Sequence, residues 1–112
     1  RPGGGGMSTI STHVLDTTLG RPAAGVRVTL QNAQGAAIGS AVTDADGRAR
    51  DFVGTLLAGS YRLRFDVGAY FRDSERECFY DDVVVSFHID GTGHYHVPLI
   101  LSPFGYTTYR GS

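Results

Sequence analysis

Charge is scarce in this chain of 112 residues. Only 19% of them are Asp, Glu, Lys or Arg, where an average soluble domain carries about 25%. A surface so poor in charge is unusual for a monomer. The net charge is −1, which excludes electrostatic capture of nucleic acid or of an anionic membrane. Cys78 is the one cysteine, so no intrachain disulfide forms, which is compatible with a reducing compartment. No apolar run approaches the roughly 18–20 residues of a membrane helix. The first residues form no apolar leader, so a cytoplasmic location is expected. Also missing are a four-ligand zinc pattern, a phosphate-cradling glycine motif and a serine-nucleophile elbow.

Glycine is plentiful, at 16 residues. Gly3–Gly6 before Met7 reads as a vector-derived scar or a flexible linker. Residues 7–112 are then a single domain, as their number suits. Their periodicity is two, not 3.6. Val26, Val28 and Leu30 alternate with polar residues; so do Tyr61, Leu63, Phe65 and Val67. Val83, Val85, Phe87 and Ile89 form a third such row. Each reads as a half-buried strand. Weaker strands are expected at about 10–16, 37–43, 48–53, 94–101 and 105–110, and one short helix at about 69–77. Turn residues such as Asn32-Ala33-Gln34-Gly35 and Asp44-Ala45-Asp46-Gly47 separate them. Short strands at regular spacing predict an antiparallel all-β sandwich or barrel.

The strand around His94 carries the most information. Tyr95, Val97, Leu99 and Leu101 share the face that points to the core. His94, His96, Pro98 and Ile100 share the other. An outward face holding Pro and Ile is not an ordinary solvated face, and a covering subunit would explain it. Two histidines at i and i+2 stand about 6–7 Å apart, close enough for a common metal or substrate. His13 and His96 are the candidate pair for chemistry; His88 stands alone and reads as a surface residue. Asp44-Ala45-Asp46-Gly47 lacks the distant glutamate of a calcium loop, so it is a turn. Arg48 follows it, either as a solvated edge charge or as a fork that holds an anionic substrate. Cys78 has no nearby histidine in sequence and is a poor nucleophile candidate. The end, Tyr109-Arg110-Gly111-Ser112, either frays or supplies donors and acceptors to a site.

These motifs resemble those of the 5-hydroxyisourate hydrolases, transthyretin-like enzymes of urate breakdown. The resemblance rests on Ser11-Thr12-His13-Val14-Leu15-Asp16 with Gly20-Arg21-Pro22-Ala23, and on Thr43-Asp44-Ala45-Asp46-Gly47-Arg48. It rests also on His94-Tyr95-His96-Val97-Pro98-Leu99 and the terminal Tyr109-Arg110-Gly111-Ser112. It covers residues 8–112, and transthyretins proper lack the tail and these histidines. It implies an eight-stranded, two-sheet sandwich with one short helix, assembled as a dimer of dimers with active sites at the dimer–dimer interface. It implies hydrolysis of 5-hydroxyisourate to 2-oxo-4-hydroxy-4-carboxy-5-ureidoimidazoline, with no cofactor and no metal. Carried over by motif, His13, Arg48, His96 and Ser112 are catalytic. Arg48, Tyr109, Arg110, Gly111 and Ser112 bind substrate. Water activation falls to the His13/His96 pair, with His13 favoured as base. Two alternatives stand beside this: a non-catalytic, transthyretin-type binder of aromatic ligands, and a zinc hydrolase using His13, His94 and His96.

Overall fold

The alternating runs form strands in the computed structural model, which describes residues 7–111, except that Val67 falls outside its strand and opens the helix. The linker expected at 1–6 and the role expected of Ser112 lie outside the described residues. The strands are β1 (Ser8–Asp16), β2 (Arg21–Pro22), β3 (Arg27–Asn32), β4 (Ala37–Val42) and β5 (Arg48–Arg50). They continue as β6 (Gly59–Phe65), β7 (Val83–Ile89), β8 (Gly93–Ser102) and β9 (Gly105–Thr108), with helix α1 (Val67–Asp73) between β6 and β7. One sheet is centred on β1, with β2 and β5 along one edge and β8 then β9 on the other. The second runs β4-β3-β6-β7.

The expected two-sheet sandwich is present, with two differences in detail. The described residues form nine strands rather than eight, and the two-residue β2 is one of them. The longest pairing, β1 with β8, is parallel from Ser8↔Gly93 to Asp16↔Leu101. Side-chain alternation has the same period in parallel and antiparallel ladders, so it reports faces and not directions.

The inward rows meet between the sheets. Val14, Val28, Leu30, Leu63, Phe65, Leu99 and Leu101 are all 0% exposed. Each contributes roughly 1.5–3 kcal/mol through burial. The helix adds Val67 and Phe71 to the same core. It begins two residues before the expected start and stops at Asp73, because Glu75 lies in the left-handed region at φ 56. Likewise β5 stops at Arg50 rather than 53, because Asp51 has φ 58. Such a conformation is costly for a residue with a Cβ and ends regular structure.

A tight turn fixes the edge of β1, and an ion pair fixes its far end. The Asp44 carboxylate accepts hydrogen bonds from the backbone N–H of Asp46 and of Arg48. Gly47 closes that turn at φ 75, where a Cβ would collide with the Val14 carbonyl oxygen. The turn therefore presses the start of β5 onto β1 and presents Arg48 at a defined register. At the far end of β1, Asp16 is fully buried and ion-paired to Arg76 at 2.6 Å. No helix among the described residues is long and apolar enough to cross a membrane.

Candidate active site

The outward rows of the β1 sheet line up across three strands. Thr9 pairs with His94, Ser11 with His96, and His13 with Pro98 on β8. On the opposite edge Ser11 pairs with Arg50 and His13 with Arg48. Equal parity sends all these side chains to one face. They surround a cleft of about 400 Å³ whose lining includes Thr9, Ser11, Arg48, Arg50, His94 and His96. His13 is half-buried beside it, across the strand pair from Arg48.

A chain of hydrogen bonds connects the histidines. Ser11 Oγ lies 2.8 Å from His96 Nδ1 and 2.7 Å from His94 Nε2. Thr9 Oγ1 lies 2.7 Å from His94 Nδ1. The ring nitrogen of His96 not held by Ser11, Nε2, has no hydrogen-bond partner among the described residues. Burial lowers the pKa of His96, and the Arg48 charge and the neighbouring His13 and His94 imidazoles lower it further; a hydrogen bond with the Ser11 backbone opposes them. The imidazole is thus kept neutral, with a lone pair available, at pH 7.

The tail divides between two places. Gly111 N–H donates to the His96 carbonyl at 2.8 Å, and this crossing covers Pro98, which is buried despite its outward parity. Tyr109 and Arg110 turn instead to a separate groove near Val85, Phe87 and Tyr95. There the Arg110 guanidinium lies 4.3 Å from the Tyr95 ring centre, a cation–π contact. Within one chain, then, Arg48, His96 and Gly111 come together beside His13, and Tyr109 and Arg110 do not join them. A Cβ on Gly111 would stand 2.7 Å from His96 Cδ2. Gly111→Ala is therefore expected to push the tail off His96, lowering kcat/KM about tenfold or more. The melting temperature should stay within a few degrees, because nothing in the core moves. Steady-state kinetics and a thermal melt check both.

Thr9 and Ser11 were not among the sequence candidates. Their parity with His13 on β1 is the signal that points to them; the partner strand on which it acts is not readable from spacing. Among the described residues, no three His, Cys, Asp or Glu side chains are grouped so as to hold a metal ion. The three-His zinc arrangement is therefore not favoured.

Known proteins share the sequence and the fold of this chain. The profile of the HIUase/Transthyretin family matches residues 10–111. A 5-hydroxyisourate hydrolase from Caulobacter vibrioides is 45% identical over 115 residues, covering 95% of this chain and 100% of that protein. The solved Klebsiella pneumoniae 5-hydroxyisourate hydrolase superposes with a TM-score of 0.86 at 42% identity, covering 94% of each chain. Transthyretin from Sparus aurata also gives 0.86, at 33% identity, covering 92% of this chain and 96% of that one. The chain belongs to the HIUase/transthyretin family.

Proposed function

We propose that this chain hydrolyses 5-hydroxyisourate to 2-oxo-4-hydroxy-4-carboxy-5-ureidoimidazoline, the hydrolase activity of its family. The observation that carries this is the convergence of Arg48 and His96 on one cleft, with His13 beside it and Gly111 bonded to the His96 backbone. Fold alone does not separate hydrolase from carrier, since both neighbours superpose equally well. Identity leans to the hydrolases, at 45% and 42% against 33%. A carrier of aromatic ligands would have no use for polar groups that are costly to desolvate.

In this reading water attacks the C6 carbonyl, the C6–N1 bond breaks, and N1 takes a proton. The neutral His96 accepts the proton from water at Nε2. The sequence favours His13 for that task; the lowered pKa and open nitrogen of His96 favour His96, and His13 becomes its electrostatic neighbour. Arg48 binds the substrate's carbonyl edge and stabilises the developing oxyanion. Ser112 orients the water or a histidine through its hydroxyl or terminal carboxylate. The functional unit is a homotetramer, a dimer of dimers with its sites at the dimer–dimer interface. The exposed Phe79, Phe104 and Tyr109, at 74%, 66% and 55%, are apolar surface that subunits would cover. Tyr109 and Arg110 shape the pocket at that interface rather than within one chain. Residues 7–112 act as a catalytic domain working in the cytoplasm.

The test is direct. Urate oxidase generates 5-hydroxyisourate from urate, and its ultraviolet decay is followed with and without the protein. Accelerated decay is expected; decay at the buffer rate would favour the carrier. Deleting Arg110–Ser112, or extending the chain beyond Ser112, should abolish most turnover and leave the fold intact. Full activity with an extended tail would remove the tail from the mechanism. A mass measurement in solution checks the tetramer, and a single-chain species would count against an interface site.

A further inference from the structure

The four side chains Thr9, His94, Ser11 and His96 form one unbroken hydrogen-bonded row. Ser11 is the hinge of it. A hydroxyl has one hydrogen to donate, and Ser11 faces a ring nitrogen on each side. It can donate to only one of them, so the other must carry a hydrogen and donate to Ser11. With both rings neutral, this leaves two arrangements. In the first, His96 carries its hydrogen on Nδ1 and donates to Ser11. Ser11 then donates to His94 Nε2, and His94 Nδ1–H donates to Thr9. The cleft-side Nε2 of His96 is left as a lone pair. In the second, every hydrogen in the row is reversed, and His96 Nε2 bears a hydrogen. One arrangement makes His96 a base toward the cleft and the other makes it a donor.

We infer that Ser11 is a positioning residue that holds His96 in its Nδ1–H tautomer, and that His94, by accepting from Ser11, selects that state. The inference deepens the reading of His96 as the water-activating base and rests on it. The distances establish the row, since 2.8, 2.7 and 2.7 Å are all full hydrogen bonds, and the role of His96 as base toward the cleft selects the first arrangement. Placement bears on how firmly the row is held: His96 and Ser11 are half-buried, while His94 and Thr9 are exposed. A histidine whose second nitrogen is held in this way has its tautomer set by that bond.

The experiment is nitrogen NMR on 15N-histidine-labelled protein at a pH where the rings are neutral, with His96 assigned by its loss in His96→Asn. In the native protein Nδ1 of His96 should carry the hydrogen and Nε2 should not. Ser11→Ala should lose that pattern and lower kcat about 10–100-fold, part of what a positioned base contributes. KM should stay within about twofold. Ser11→Thr, which restores a hydroxyl, should restore both the pattern and kcat. His94→Phe at an exposed position keeps the idea testable if Ser11→Ala does not fold; it should shift His96 away from pure Nδ1–H. A hydrogen on His96 Nε2 in the native protein, or an unchanged pattern in both variants, overturns the inference. If the pattern changes and kcat does not, the relay stands and the assignment of His96 as base falls.

Discussion

His96→Asn is expected to lower kcat on 5-hydroxyisourate by about 10²–10⁴-fold, the range a positioned general base contributes. The residue is half-buried on an outward row, and its side chain is not part of the packed core. The melting temperature should therefore stay close to that of the native protein. A kcat within a few fold of native would show that another group activates water. The pH profile gives an independent reading. Burial, followed by the Arg48 charge and the neighbouring His13 and His94 imidazoles, lowers the pKa of His96. A base must be neutral to act, so activity should persist as pH falls past the ordinary histidine value of about 6.5. The acid limb lies below that value. Arg48→Met removes one positive neighbour, so it should move the limb upward as well as reduce turnover.

Asp16→Asn should destabilise the fold by about 3–5 kcal/mol, the cost of removing one partner of a buried ion pair. Asp16 is 0% exposed and bonds Arg76 at 2.6 Å and the Tyr70 hydroxyl at 2.7 Å. Its other oxygen accepts from the backbone N–H of Thr18 and of Leu19. Burial by itself would raise the carboxyl pKa, but the hydrogen bonds from Arg76, Tyr70 and Leu19 outweigh it, and the net value lies below the usual carboxylate range. An asparagine there leaves the half-buried Arg76 charge without this counterion, with its buried Nη1 already lacking a partner among the described residues. The expected fall in melting temperature is about 10–20 °C. The sign of the pH effect follows from the lowered value. The ionised Asp16 contributes its full stability above the unfolded pKa of about 3.9 and loses it as pH falls through the lower folded value. Urea melts at pH 7 and below pH 4 should show the native protein and Asp16→Asn converging in acid. A variant as stable as the native protein at pH 7 would mean that the pair only ties the segment after α1 to β1 without net gain.

Both predictions depend on where distant segments meet, and that marks the border of what the residues reveal in order. Alternation along Val28-Thr29-Leu30 and Tyr95-His96-Val97 states which side chains are buried, because a pleated strand sends neighbours to opposite faces. Those rows are buried as expected. The turn at Asp44–Gly47 is equally local: one carboxylate, two N–H groups and a glycine that tolerates positive φ. The motifs carrying the family resemblance, including His13, Arg48 and His96, are local strings too.

Pairing is a different kind of information. Nothing in the spacing of Ser11 and His96 says that they are Cα partners, since 85 residues separate them along the chain. The parallel register of β1 and β8 places Ser11 between two imidazoles, and the register of β5 places Arg48 beside His13. Shifting β8 by one residue would turn its histidines inward and bury a charge-bearing row. The ion pair of Asp16 with Arg76 belongs to the same category, joining the end of a strand to the segment after a helix. The low charge content, the strands and the chemical types available are all legible in the order of residues, because each is a local property. Which histidine is desolvated, which nitrogen is left open and which hydroxyl holds the other were set by packing two sheets, because those properties depend on contacts between segments far apart in the chain.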